Sequence, residues 1–294
     1  MAVTRARTLV VGVALGLVAA GQARRSRESA VRRAAARDVR RAAVDDALAA
    51  AAELDRVPDG QVLAVVMAAY NEAGSIGPLL ASLPKDVCGL PVRPVVVDDG
   101  SSDDTAEHAR GVQALVGRHA RNLGQGDALR TGFAIAERLG AQVVVTMDAD
   151  GQHDPAELPD LVGPVVAGDV DYVQGSRFLG RYDDAGGARD LGIRTFTRLI
   201  RWLTGTEITD CTNGYRAIDG AGLARLQLVE DRFSASEILI QAAGQGLRIR
   251  EVPVHIRTRE VGESKKPRGL GYAWGFFGAI VRSWARANAP RAKA

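Results

Sequence analysis

From Gln61 onward, runs of buried-strand character alternate with segments of helical periodicity, and this alternation restricts the fold more than any other property of the chain. Val62 to Ala69 is a near-continuous apolar run of strand length, after which Ile76, Leu79, Leu80 and Leu83 recur at the spacing of one helix face. Pro91 to Val97 returns to strand and completes a βαβ unit. Thr105 to Val116 fits a second helix, Asp127 to Leu139 a third with Leu129, Phe133 and Ala136 inward, and Val143 to Met147 the next strand. The pattern predicts an α/β fold: a mostly parallel sheet with helices on both faces, whose ligands bind beyond the carboxyl ends of its strands.

Three of those strand ends carry polar clusters: Tyr70-Asn71-Glu72, Asp98-Asp99-Gly100-Ser101-Ser102 and Asp148-Ala149-Asp150-Gly151-Gln152. Each alone is ordinary turn and helix-capping chemistry. Three at one edge of a parallel sheet predict a shared crevice. In extended backbone, Asp148 and Asp150 project to the same side with Ala149 opposite. Paired carboxylates repel unless a cation lies between them, and Mg2+ or Mn2+ suits such oxygen ligands while completing its shell with substrate phosphates and water. The Gln152 amide offers one more oxygen. An EF-hand frame starting at Asp148 fails, because His153 falls where Gly is required and Pro159 where the bidentate Glu belongs. No Walker A sequence and no G-x-G-x-x-G follows the first strand, which removes the main support for ordinary ATPase or dehydrogenase readings.

The flanks differ from this central unit. The net charge of +3 is concentrated at the start, where residues 1–57 hold eleven Arg against six Asp plus Glu. Thr8 to Gly21 is an uncharged apolar run with Arg5 and Arg7 before it and Arg24, Arg25 and Arg27 after it. It is shorter than the roughly 20 residues of a bilayer span, and fits a secretion-signal core, a marginal membrane anchor or a start codon assigned too early. Arg24 to Leu54 is Ala- and Arg-rich without Pro or Gly, which predicts a helical appendage with a mostly polar face; Val57-Pro58-Asp59-Gly60 then breaks it. The expected organisation is 1–57 basic segment and appendage, 58–268 central domain and 269–294 amphipathic helix. Near that last helix, Tyr272, Phe276, Ile280 and Trp284 form one stripe, flanked by Phe277 and Val281 and followed by Arg282 and Arg286. Such a stripe serves either the core or a membrane interface. The basic arm lacks aromatic interleaving and any nucleic-acid motif, so an anionic membrane surface is the expected attraction and nucleic acid is not. Cys88 and Cys211 match no metal or redox spacing and read as idle thiols.

Seven motifs in order, A-A-Y-N-E, V-V-D-D-G-S-S-D, R-N-L-G-Q-G, D-A-D-G-Q-H, G-S-R-F, D-C-T-N-G-Y-R and R-E-V-G-E-S-K, span about Val62 to Lys265. Together they resemble the family 2 glycosyltransferases of the Rossmann-like GT-A fold, in the branch of dolichol-phosphate mannose synthase and other polyprenyl-phosphate glycosyltransferases. The resemblance implies a pocket for base and ribose at Ala68, Tyr70, Glu72, Val97 and Asp99, with Asn122 and Gly124 shaping the adjacent loop. It implies a metal and diphosphate site at Asp148, Ala149, Asp150 and Gln152, phosphate contacts from Arg177, Arg259 and Lys265, and Arg216 near the acceptor. The chain departs from the family pattern at Ala68, where Pro is common, at Gln125 in place of Lys, and at Asn213-Gly214-Tyr215-Arg216 in place of S-G-F-R.

The implied reaction is inverting transfer of a sugar from a GDP- or UDP-sugar to polyprenyl phosphate, with Mg2+ or Mn2+ and basic side chains stabilising the departing diphosphate. The implied place is the cytoplasmic face of a membrane, with the protein peripheral or held by the N-terminal apolar segment. A hydroxyl acceptor needs a general base, for which Asp210 is the nearest candidate, whereas a polyprenyl phosphate is already an anion. Asp210 serves equally well as an ion-pair partner holding Arg216. Arg177, Arg189, Arg194 and Arg216 favour the phosphate. The alternatives are transfer to a saccharide or other hydroxyl, and a nucleotide-sugar-binding protein without turnover.

Overall fold

The computed structural model describes residues 25–51, 61–183, 187–259 and 270–289. Thr8 to Gly21, the break at Val57-Pro58 and Lys265 therefore lie outside the described residues. In chain order the elements are α1 (Arg25–Ala51), β1 (Leu63–Ala69), α2 (Ala73–Ala81), β2 (Asp86–Val87), β3 (Leu90–Asp98), α3 (Thr105–Gly111), β4 (Leu115–Arg118), α4 (Gln125–Arg138) and β5 (Val143–Thr146). There follow α5 (Leu158–Val166), β6 (Tyr172–Tyr182), α6 (Ala188–Thr204), β7 (Arg216–Asp219), α7 (Gly220–Leu223), α8 (Ser234–Gly244), β8 (Ile249–Ile256) and α9 (Leu270–Ala287).

One mixed sheet runs in the order β2-β3-β1-β5-β7-β6-β8, with β4 also paired to β3. Its first half, β4, β3, β1 and β5, is parallel, and the pairing of Ala69 with Asp98 and of Val66 with Thr146 brings three carboxyl ends to one edge. β7 then runs antiparallel between β5 and β6, and β8 is parallel to β6. Alternate residues of the central strands feed two cores, as the period of two requires. Leu63, Val65, Met67, Val143 and Val145 pack with α2, α3 and α5 on one face. Ala64, Val66, Val95, Val97 and Val144 pack with α1, α4, α6, α8 and α9 on the other. Near-continuous apolar strands are what burial on both faces demands.

Two expectations change. The helix read over Thr105 to Val116 is a seven-residue helix ending at Gly111, followed by strand β4. Gln113 takes φ +62°, and Leu115 and Val116 then pair with Val95 and Val96. Long-range pairing at the sheet edge outweighs the local helical spacing. The N-terminal helix, expected as an appendage, is docked: Ala43 and Ala47 are fully buried and Val44 belongs to the core shared with β4 and α4.

The C-terminal stripe faces the protein. Phe276, Ile280 and Val281 are buried, Phe276 lies 4.6 Å from Phe196 and 4.9 Å from Phe233 between ring centroids, and Trp284 Nε1 donates to the Leu203 carbonyl at 2.9 Å. Trp274, on the other side of the helix, is 60% exposed. No helix among the described residues is long and apolar enough to cross a membrane.

Candidate active site

Backbone amides organise the ends of β1 and β3. Asn71 sits in the left-handed region at φ +53°; its N–H donates to Ser101 Oγ at 2.9 Å while its side-chain Oδ1 accepts the Ser102 amide at 2.9 Å. The Glu72 amide donates to Thr105 Oγ1 at 2.9 Å. Asp98 is fully buried, accepting the Ser101 amide at 2.9 Å and facing Arg118 Nε at 3.0 Å. Asp99 is only 3% exposed, and its carboxylate accepts the amides of Leu123 and Gly124 at 2.8 and 2.7 Å and meets His119 Nδ1 at 2.7 Å. It fastens the loop beside the pocket. Tyr70 and Asn122 are exposed at the rim and Glu72 is half-buried. Val97, expected in the pocket wall, instead has its side chain fully buried in the core with α4, and Ala68 packs against the same cluster.

The Asp148–Gln152 segment is a turn rather than an extension of β5, which stops at Thr146, and Gly151 takes φ +76°. The strand-alternation argument therefore does not position the two carboxylates; neighbours do. Asp148 lies over Gly214, where an added Cβ would come within 2.6 Å of its Oδ1, so a side chain there would displace the carboxylate. Asp150 is buried, accepts the Gln152 amide at 3.1 Å and pairs with the Arg259 guanidinium. The Gln152 side-chain amide donates to the Arg257 carbonyl at 2.8 Å. Ala149 packs its methyl into the core, and its carbonyl accepts Ser75 Oγ at 2.9 Å.

His153 props this turn. Its Nδ1 accepts the Asp148 amide at 3.1 Å, its Nε2 donates to Asn213 Oδ1 at 3.1 Å, and the ring stacks on Tyr215 at 4.8 Å. One nitrogen accepting and one donating define a neutral imidazole. Burial, opposed by the nearby Asp148 and Asp150 charges, holds its pKa below the ordinary histidine value. Asn213 Nδ2 donates to the Gly175 carbonyl at 2.8 Å, and Tyr215 Oη to the Asp154 carbonyl at 2.9 Å. The turn is thereby tied to the entry of β7.

Among the described residues no group of three or more His, Cys, Asp or Glu side chains surrounds one point. Two carboxylates in one turn nevertheless fit Mg2+ or Mn2+, which commonly takes one or two protein carboxylates and fills the rest of its shell with water and substrate phosphate. Asp148 and Asp150 are the groups that would hold it.

Near β6 and β7, Arg177 Nε donates to Asp210 Oδ2 at 2.6 Å, Nη2 reaches Thr212 Oγ1 at 3.3 Å, and the guanidinium lies 5.2 Å from the Tyr182 ring centre. Asp210 is fully buried; its other oxygen accepts the Thr212 amide and hydroxyl at 3.0 and 3.1 Å. Glu251 holds this loop by accepting the amides of Thr209 and Asp210 at 2.7 and 3.0 Å. The expected pairing of Asp210 with Arg216 is replaced by pairing with Arg177. Arg216, expected near the acceptor, is buried against the start of α8, where its Nη1 donates to the Ala235 carbonyl at 2.7 Å and its Nη2 to that of Asn213. It ties the start of α8 to the turn before β7. Arg194 stacks over Phe178 at 4.2 Å, and the side chain of Arg189 lies outside the described residues.

His119, His153, Asn213 and Glu251 were missed as contributors. His153 and Asn213 stand inside the motifs already noted, and that position was the available signal; His119 and Glu251 carry none, since their partners are distant in sequence.

The sequence profile described as Glycosyl transferase family 2 matches residues 64–231. The chain is 34% identical over 203 residues to a dolichyl-phosphate hexose transferase of Haloferax volcanii, covering 69% of this chain and 86% of that one. It is 33% identical over 213 residues to a polyprenol monophosphomannose synthase of Mycolicibacterium smegmatis, covering 68% and 79%. Among solved structures, glucosyl-3-phosphoglycerate synthase from Mycobacterium tuberculosis, crystallised with Mn2+, uridine diphosphate and glucosyl-3-phosphoglycerate, superposes with a TM-score of 0.59 at 23% identity over 83% of each chain. Three polar strand ends on one edge of a sheet with this topology, and a sequence match across them, lead to one assignment: the chain is an enzyme of glycosyl transferase family 2.

Proposed function

We propose that the protein transfers a sugar, with inversion, from a nucleotide-diphosphate donor to a polyprenyl phosphate at the cytoplasmic face of a membrane. The observation that carries this reading is the Asp148–Asp150 turn, where Asp150 pairs with Arg259, because carboxylates for a divalent cation and a guanidinium for a phosphate then adjoin the same strand ends. A bound Mg2+ or Mn2+ supplies Lewis-acid stabilisation of the leaving diphosphate. Arg259, which pairs with Asp150, is assigned to the diphosphate, Tyr70 and Glu72 to the borders of the base and ribose, and the Asp99-anchored loop to that side of the site. Lys265 follows Arg259 in the same motif and is assigned to the phosphates with it.

Asp210 supports the polyprenyl-phosphate acceptor. A general base needs an oxygen available to the acceptor proton, but both oxygens of Asp210 are engaged, one of them by Arg177. An acceptor that is already an anion needs no base, and Arg177 then orients its phosphate. The two relatives named above carry dolichyl phosphate and polyprenol in their names. Leu179 and Leu191, 50% and 64% exposed, stand next to Phe178 and one turn before Arg194, so apolar and basic groups share this corner as a lipid surface requires.

The test offers purified protein a panel of UDP- and GDP-sugars with Mg2+ or Mn2+ and a membrane lipid extract. Radiolabel in an organic-soluble, mild-acid-labile product is expected. Label confined to aqueous saccharide would sink the polyprenyl assignment.

A further inference from the structure

The family match begins at residue 64 and ends at 231, so α1 and α9 both lie outside it. Their arginines nevertheless reach two adjoining segments, the first turn of α4 and the Glu230–Asp231 stretch packed against it. From α1, Arg40 pairs with Asp127, a buried carboxylate in the first turn of α4. Arg130 Nη2 lies 2.9 Å from the same Asp127 oxygen and 3.0 Å from Asp231, and its Nη1 donates to the Glu230 carbonyl at 3.2 Å. From α9, Arg282 meets both Glu230 oxygens at 3.0 and 2.7 Å, while Arg286 reaches Glu230 at 3.0 Å and Glu237 at 2.6 Å. Glu237, almost fully buried, also accepts the amides of Val229 and Glu230 at 2.9 Å each. The Glu230–Asp231 segment then rests on the R-N-L-G-Q-G loop: the Gly126 amide donates to the Asp231 carbonyl at 3.1 Å, and a Cβ on Gly126 would come within 2.3 Å of the Glu230 oxygen.

We propose that α1 and α9 brace the Leu123–Asp127 turn from outside while Asp99 clamps it from inside, with Arg40, Arg130, Arg282 and Arg286 as positioning residues that set the affinity for nucleoside diphosphate. The inference rests on the donor-site reading of this turn. Leu123 and Gly124 lead into the first turn of α4, which starts without a side-chain cap and contains Gly126, so this helix start is weak by itself and its shape depends on neighbours. A loop ordered in advance does not lose that entropy on binding, and affinity rises accordingly. The brace is ionic and partly solvated, so salt weakens it.

The experiment uses the full chain. Hydrogen exchange over residues 121–128 is followed without ligand, and UDP and GDP binding is measured by calorimetry. Arg40→Ala, and separately Arg282→Ala with Arg286→Ala, should each speed exchange in that segment about tenfold and weaken the nucleoside diphosphate about tenfold, as loss of a partly buried ion pair implies. Donor KM rises while kcat stays within about twofold, and Arg40→Lys recovers most of the loss. Raising NaCl from about 20 mM to about 0.5 M on the unmodified protein should speed exchange in the same segment. Unchanged exchange at 121–128 in the folded variants overturns the proposal, and if the variants do not fold, a flat salt response overturns it. Unmodified protein that binds neither UDP nor GDP removes the donor reading, and the exchange measurement still decides the brace.

Discussion

The two halves of the crevice hold their charges differently. At the ends of β1 and β3, Asp99 and Asn71 are held largely by backbone amides, those of Leu123, Gly124 and Ser102. Near β6 and β7, Arg177 is held by Asp210 and Asp210 in turn by Thr212 and the Glu251-anchored loop. Amides cannot change their charge or be removed by a side-chain substitution, so Asp99 and Asn71 keep these partners for as long as the loop itself is held in place. A buried ion pair depends on both partners, and losing one leaves a charge stranded in a poor dielectric. The β6–β7 side is therefore the more fragile.

The sharpest break in this comparison is at the shared boundary. Asp150→Ala should lower kcat/KM about 10^3-fold, the scale of losing a principal electrostatic stabiliser, in a protein that still folds and melts cooperatively; near-normal turnover would refute the metal role. Next, Asp210→Asn should cost about 3 kcal/mol in urea denaturation by stranding Arg177, against about 1–2 kcal/mol for Asp99→Asn, whose amide still accepts one of the loop amides. Replacing Arg177 and Asp210 together by Met and Leu should recover much of that loss. Equal losses for Asp99→Asn and Asp210→Asn would erase the distinction.

The smallest effect concerns pH. Burial holds the His153 pKa below its ordinary 6.5, so the folded state stays neutral where the unfolded chain takes up a proton. Stability should therefore fall as pH drops below about 6.5, by no more than about 1.4 kcal/mol per unit, and His153→Phe should flatten that slope. A slope that survives the substitution would assign it to another group.

What could be read beforehand follows the same division. The alternation of apolar runs, the three polar strand ends and the D-A-D-G-Q-H turn are local signals, and the fold and the edge bearing the site were legible from them. Strand β4 was not, because Leu115 and Val116 owe their conformation to Val95 and Val96 beyond a helix. The partners of Arg216 were hidden for a related reason: the motif shows its neighbour Tyr215 but not the Ala235 carbonyl, 19 residues away, to which its guanidinium donates. The Arg177–Asp210 pair spans 33 residues, and no spacing rule connects such positions.

The stack of His153 on Tyr215 joins the two halves through one ring. His153 touches the Asp148 amide on one side and Asn213, at the entry of the acceptor strand, on the other. A ligand that displaced one of these elements would act on the other through this ring, and the affinities at the two places would then be linked. Whatever factor an acceptor applies to nucleotide affinity, the nucleotide must return to the acceptor, so two titrations performed in opposite order would measure one and the same coupling constant.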